Sequence, residues 1–266
     1  MMFWYDRQLI EANNITLGIN HPGLIYGATV FTTLRVYHQS LSHRLTHWEQ
    51  HCDRLKRSLT EFQWPFPDWQ EVTEAAETLL KHYPILRIVV FPDGKLWVTG
   101  RFLPDDLAER QQQGINGWLA DKALFQRPLA DYKTGNYLTA WLALQEAQKQ
   151  GAKEAILIDS EKTWLETSTG NLWGWKENSF WTPPDDGRIL PGITRSQLLN
   201  YLKKMGITVH QTEAWTPNFI QSLEMIAYSN CGVEIIPFKT IFNSSQSLEF
   251  RQFPEALNWL KNYFAD

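Results

Sequence analysis

The stretch LRIVVFPDGKLWVTGRF at residues 86–102 restricts the fold more than any other part of the chain. Two runs rich in β-branched and aromatic side chains flank Pro92-Asp93-Gly94, whose turn chemistry reverses the chain and makes a hairpin. MFWYDRQL near the N-terminus and TVFTTLRVY at 29–37 are runs of the same kind, so the first part of the chain is expected to be sheet-rich. Between them, THWEQHCDRLKRSLTEF (46–62) carries Trp48, Cys52, Leu55, Leu59 and Phe62 at spacings of four and three. That period predicts an amphipathic helix with this stripe toward the core and His47, His51, Arg54 and Ser58 on the stripe beside it. A second helix is expected over about 71–82, after the Pro-rich WPFPDWQ turn.

Past Phe102 the composition turns polar, and LPDDLAERQQQG reads as an interdomain link. The boundary is therefore placed between an N-terminal α+β domain over 1–109 and a C-terminal α/β domain over 110–266. In the second domain the periodicity alternates. INGWLADKAL reads as a strand, YLTAWLALQEAQKQ as a helix stopped by Gly151, and EAILIDS as a buried strand. SFWTP is a further strand, RSQLLNYLKKMG a helix ending at Gly206, ITVHQTEA a strand, and MIAYSNCGVEIIPF an apolar stretch broken by polar residues. The expected fold class is α/β (α+β), in two domains.

With 266 residues and a hydrophobic fraction of 43%, the chain has enough apolar surface for such cores. A net charge of −4 and no basic patch interleaved with aromatics argue against a nucleic-acid partner. No apolar run approaches the roughly 20 residues of a membrane span. The N-terminus carries Asp6 and Glu11 and lacks a signal-peptide core. The two cysteines, Cys52 and Cys231, have neither metal-ligand spacing nor a disulfide framework, so no metal is expected and a cytoplasmic setting is.

Three short segments carry candidate chemistry. A lysine that forms a Schiff base needs a fixed place at the edge of a core, and Lys133 in DYKTGNYL stands just before a helix, with Gly135 allowing close backbone approach. In LETSTGNLW, Glu166 follows a strand and Asn171 lies five residues on. A carboxylate so placed can keep a pyridine nitrogen protonated and make the ring an electron sink. In ILPGITRSQLL, Gly192, Ile193 and Thr194 lead into a helix, whose first N–H groups with a threonine hydroxyl make a phosphate site. Singly, these read equally well as a solvated lysine, a turn glutamate and a helix cap. Together with Arg54, able to grip phosphate with both arms, they are the parts needed to hold pyridoxal 5′-phosphate.

The chain resembles the fold-type IV pyridoxal-phosphate enzymes, which include branched-chain aminotransferases, D-amino-acid aminotransferases and 4-amino-4-deoxychorismate lyases. The resemblance is carried by YGATVFTTLRV at 26–36, HCDRLKRS at 51–58, YKTGNYL at 132–138, LETSTGNLW at 165–173, PGITR at 191–195 and SNCGVEIIP at 229–237. It implies that Lys133 binds the cofactor covalently, Glu166 meets the pyridine nitrogen and Arg54 binds phosphate. Ile193 and Thr194, with the loop of Asn230 and Cys231, would complete the phosphate cup, and Asn171 belongs to the same cofactor-binding set. Cys231 departs from the threonine or serine common in relatives. A homodimer is implied as well.

Within the family, VFTT at 30–33 is similar to the lyases, where aminotransferases usually carry VFEG or VFET, and Asn230-Cys231 is closer to the lyases' Asn-Ser or Asn-Ala. Glu234 points the other way, toward the aminotransferases. No Arg-x-His of the D-amino-acid enzymes occurs in FPDGKLWVTGRFLP. The resemblance therefore implies an aminodeoxychorismate lyase of folate synthesis, releasing pyruvate and 4-aminobenzoate. Lys133 would be the base, Thr32 or Thr33 the proton donor to the leaving group, Arg35 or Arg101 the partner of a substrate carboxylate, and Tyr26 a border of the substrate pocket. The alternative is a class IV aminotransferase acting on branched-chain or D-amino acids with a 2-oxo acid acceptor.

Overall fold

A computed structural model describes residues 1–251 and 254–265. It divides into two compact units, Met1–Pro104 with Tyr132–Asn136, and Asp105–Asp131 with Tyr137–Asp266.

The first unit runs β1 (Met2–Tyr5), β2 (Gln8–Glu11), α1 (Pro22–Ile25), β3 (Val30–Arg35), α2 (Trp48–Glu61), α3 (Trp69–Leu79), β4 (Ile85–Val90) and β5 (Leu96–Arg101). Its strands form one antiparallel sheet in the order β2-β1-β5-β4-β3. MFWYDRQL is a hairpin rather than one strand, because Asp6 and Arg7 both take positive φ (47° and 67°) and reverse the chain in two residues. The hairpin expected around Pro92-Asp93-Gly94 is present as β4 and β5. Val30 and Leu34 of β3, Leu86 and Ile88 of β4, and Leu96 and Val98 of β5 face Leu55, Leu59, Val72 and Leu79 of the two helices. Helix α2 is rotated from its expected seating. It buries His51, Leu55, Ser58 and Leu59, leaving Trp48, Cys52 and Phe62 half-buried, because His51 finds a hydrogen-bond partner inside.

The second unit runs α4 (Leu107–Gln113), β6 (Ile115–Ala120), α5 (Leu138–Lys149), β7 (Glu154–Ile158), β8 (Trp164–Thr167), β9 (Asn171–Lys176), β10 (Ser179–Trp181), α6 (Ile193–Lys204), β11 (Val209–His210), α7 (Pro217–Gln221), β12 (Met225–Asn230), β13 (Glu234–Phe242), β14 (Ser247–Glu249) and α8 (Pro254–Asn262). The sheet order is β11-β10-β9-β12-β13-β6-β7-β8, with β14 on β13. Helix α5 carries the chain from β6 to the parallel β7 and buries Ala140, Ala143 and Ala147.

Two boundaries differ from the sequence reading. LPDDLAERQQQG is not a link: it forms α4, whose Gln111 Nε2 donates to Val233 O (2.9 Å) and Glu234 Oε2 (3.1 Å), so the units divide after Pro104. The Lys133 segment, expected in the C-terminal domain, clusters with the first unit. It lies along the open side of edge strand β3, where Phe31 N–H donates to Lys133 O (2.9 Å) and Gly135 N–H donates to Thr29 O (2.7 Å). Those bonds satisfy backbone groups that an edge strand leaves unpaired.

Candidate active site

In the first unit, Lys133 is fixed through its backbone before its side chain is considered. A side chain at Gly135 would collide with Thr29 Oγ1, so only glycine lets the segment lie this close to β3. The Lys133 ammonium sits 4.9 Å from the centroid of the Phe31 ring, and the Arg87 guanidinium 3.8 Å from it. Successive strand residues point to opposite faces, so Phe31, Thr33 and Arg35 share one face, while Val30, Thr32 and Leu34 share the other. Cross-strand partners extend the first face: Thr33 lies opposite Arg87, which lies opposite Thr99, and Arg35 lies opposite Ile85, which lies opposite Arg101.

The two threonines are thereby separated. Thr32 is 0% exposed and turned toward the helices, its hydroxyl 2.5 Å from Nδ1 of His51. Thr33 is on the Phe31 face. Burial holds the His51 imidazole well below the ordinary histidine range, with Arg54, His47 and Lys133 adding repulsion in the same direction. The neutral imidazole and the Thr32 hydroxyl share one hydrogen bond through Nδ1. Arg54, three residues on, is half-buried on the same face of α2. Tyr26, at the end of α1, is 75% exposed.

In the second unit, Glu166 is 3% exposed and forms an ion pair with Arg127, whose Nη2 also donates to Ala130 O (3.1 Å). The other carboxylate oxygen accepts from Leu190 N–H (3.1 Å). Asn171 takes the opposite side of the same residue, its Nδ2 donating to Leu190 O (2.8 Å). Glu166 and Asn171 therefore clamp Leu190 at the entrance to Pro191-Gly192-Ile193-Thr194. Asn171 acts on this loop; its amide nitrogen is committed to the backbone. A Cβ at Gly192 would strike Asn171 Oδ1, so the loop closes against the strand only with glycine there.

Helix α6 opens at Ile193 with no side chain capping its first turn. Thr194 is 5% exposed and its hydroxyl reaches Cys231 Sγ at 3.3 Å. Asn230 is a turn former: its Oδ1 accepts from Gly232 N–H (2.8 Å) and Val233 N–H (2.9 Å). Three residues escaped the sequence reading in whole or part. His51 was visible as the position three before Arg54 but not as the partner of Thr32, Arg87 required the strand register, and Arg127 left no local signal. Among the described residues, no group of three or more His, Cys, Asp or Glu could hold a metal, and no helix is long and apolar enough to cross a membrane.

The donor set fits a phosphorylated pyridine aldehyde. A buried ionised carboxylate suits a ring N–H, and an uncapped helix start with a threonine hydroxyl suits a phosphate. Comparison with known proteins agrees. Residues 29–241 match the model of amino-transferase class IV, and the chain belongs to that family, whose cofactor is pyridoxal 5′-phosphate. It is 28% identical to a D-alanine aminotransferase of Listeria innocua over 283 residues, covering 98% of this chain and 94% of that protein. It is 24% identical to the branched-chain-amino-acid aminotransferase of Escherichia coli over 263 residues, covering 90% and 84%. Its fold is that of the crystal structure of the E. coli branched-chain enzyme (TM-score 0.83, 23% identity, covering 99% and 93%). The same fold occurs in a PLP-bound hypothetical aminotransferase of Mycobacterium tuberculosis (TM-score 0.84, 19% identity, covering 100% and 98%).

Proposed function

We propose that the protein is a pyridoxal-phosphate-dependent aminotransferase whose amino donor or 2-oxo acid acceptor carries a second carboxylate. The observation that carries this reading is the set of Arg35, Arg87 and Arg101 on the sheet face shared with Phe31, to which the Lys133 amine also comes. One carboxylate is common to every amino acid; three cations on one face suit more than one. The class IV relatives, named for branched-chain amino acids and D-alanine, support amino transfer as the reaction. Bound cofactor supplies an electron-withdrawing ring beside the substrate nitrogen. Lys133 attaches the cofactor and, once released, holds and returns the proton. Glu166 faces the ring nitrogen, while Arg54, Thr194 and the N–H groups of Ile193 and Thr194 hold the phosphate. Arg87 takes precedence over Arg35 and Arg101 for the substrate carboxylate, lying within β4 and opposite Thr33, whereas the other two stand at strand ends.

Aminodeoxychorismate lyase is the second reading. Thr33 favours it, since a hydroxyl on the Lys133 face can deliver a proton to a leaving oxygen, whereas Thr32 is committed to His51. Incubation with an amino-acid panel and 2-oxoglutarate, beside aminodeoxychorismate assayed for pyruvate and 4-aminobenzoate, separates the two. Glutamate formation without 4-aminobenzoate is expected; the reverse overturns the aminotransferase reading. If the lyase reaction is found, Thr33→Val should slow it by ~10²–10⁴-fold and Thr32→Val should not. Borohydride reduction followed by peptide mass spectrometry should locate the cofactor on the peptide containing DYKTGNYL. The proposed assembly is a homodimer, supported by the exposed apolar residues Ile19, Leu24, Ile25 and Tyr26 around α1, and light scattering measures it.

A further inference from the structure

Arg127 is the least expected member of the second unit's site. Its side chain is 6% exposed and that of Glu166 is 5%, so the pair is sealed from water on both sides. The guanidinium is held at three points: one nitrogen on Glu166, the other on Ala130 O, and its carbon 5.0 Å from the centroid of the Tyr137 ring. A planar fork can meet a carboxylate and a carbonyl together while lying against an aromatic ring; an ammonium cannot reproduce that geometry. The pairing matters because of what an isolated buried carboxyl does. Out of water it takes up a proton and becomes a donor at one oxygen. A guanidinium never releases its own proton, so a carboxylate held beside it stays ionised and keeps accepting. Glu166 already accepts Leu190 N–H on its other oxygen, a role that only the ionised carboxylate fills at both oxygens.

We infer that Arg127 is a positioning residue that keeps Glu166 ionised, and thereby keeps the cofactor's ring nitrogen protonated; this rests on the proposed role of Glu166 at that nitrogen. Without Arg127, Glu166 takes the proton itself, and the ring stops drawing electrons efficiently. A purely structural Arg127, pinning residues 127–130 to their surroundings, would leave the ring nitrogen unaffected.

The test is nitrogen-15 NMR of holoenzyme loaded with cofactor labelled at the ring nitrogen, in wild type, Arg127→Met, Arg127→Lys and Glu166→Gln. The expected result is a protonated-ring signal in wild type, displacement toward the unprotonated position in Arg127→Met and Glu166→Gln, and partial retention in Arg127→Lys, which keeps the charge without the planar fork. If Glu166→Gln displaces the signal and Arg127→Met does not, the inference about Arg127 fails while the role of Glu166 stands. If Glu166→Gln leaves the ring protonated, or if the wild-type ring is unprotonated, the reading of Glu166 fails first. Should Arg127→Met not fold, the double variant Arg127→Met, Glu166→Gln decides through its melting temperature. Recovery of a folded protein shows that the unpaired Glu166 carboxyl, and not the packing of residue 127, was the difficulty, and failure to recover assigns Arg127 to packing alone.

Discussion

Thr32 with His51 in the first unit, and Arg127 with Glu166 in the second, are both polar pairs closed off from water, and they are held by different physics. The first pair is neutral: burial and nearby cations keep the imidazole uncharged, and one hydrogen bond joins it to the Thr32 hydroxyl. The second carries two full charges whose desolvation must be offset by mutual attraction and by Leu190 N–H and Ala130 O. A neutral buried pair can be replaced by apolar side chains with little loss, since both desolvation penalties leave together. An ion pair of this kind tolerates loss of neither partner alone. The contrast separates what each pair does for the protein: Thr32–His51 seats helix α2, and with it Arg54, on the sheet, whereas Arg127–Glu166 sets a charge where the ring nitrogen is proposed to bind.

The largest effect should come from Glu166→Leu, which leaves the Arg127 guanidinium buried and unpaired and releases Leu190 N–H. A loss of about 3–5 kcal/mol is expected, read as a lower urea midpoint. Because Glu166 also holds the loop entering α6, phosphate affinity of the apoprotein should fall along with stability. Next is Thr32→Val, which strips His51 of its partner at about 1–3 kcal/mol; adding His51→Leu should return much of that, and failure to do so would make the pair more than a neutral hydrogen bond.

The pH dependence should differ in sign between the units. His51, and His47 pushed down to about 4 by burial and Arg44, have folded values below the ordinary 6.5. Their contribution to stability is present above 6.5 and is lost as the pH falls through their folded values, by at most about 1.4 kcal/mol per proton per pH unit. His51→Gln should flatten that acid limb in calorimetric scans. In the second unit, burial raises the Glu154 carboxyl above its usual 4.5 despite hydrogen bonds from Ser168 and Thr169, so its contribution is full below 4.5 and is lost as the pH rises through the folded value. Glu154→Gln should remove that opposite limb. The smallest change is expected from Cys231→Ser. It replaces the sulfur 3.3 Å from Thr194 Oγ1 with a stronger hydrogen-bonding group and should alter phosphate affinity of the apoprotein by no more than about tenfold, as one hydrogen bond allows.

Much of the molecule was legible from local patterns, because a turn, a strand or an amphipathic helix leaves its period in a few consecutive residues. The β4–β5 hairpin, helices α2, α3, α5 and α6, and the segments holding Lys133, Glu166 and Thr194 could all be read that way. Helix α4 was missed because LPDDLAERQQQG has a single buried anchor, Leu107, and gains its hold from Gln111 reaching Val233 and Glu234, more than a hundred residues away. The sequence by itself determined most of the element types and a stock of candidate site residues, since propensity, periodicity and side-chain chemistry are properties of neighbouring residues. Only the tertiary structure decided that Thr33 rather than Thr32 shares the face of Phe31, that Arg87 stands opposite it, and that Arg127 is the charge beside Glu166. Strand register and the partner of a buried charge are set by groups distant along the chain, where the cost of an unsatisfied polar atom selects one arrangement among many that local sequence permits.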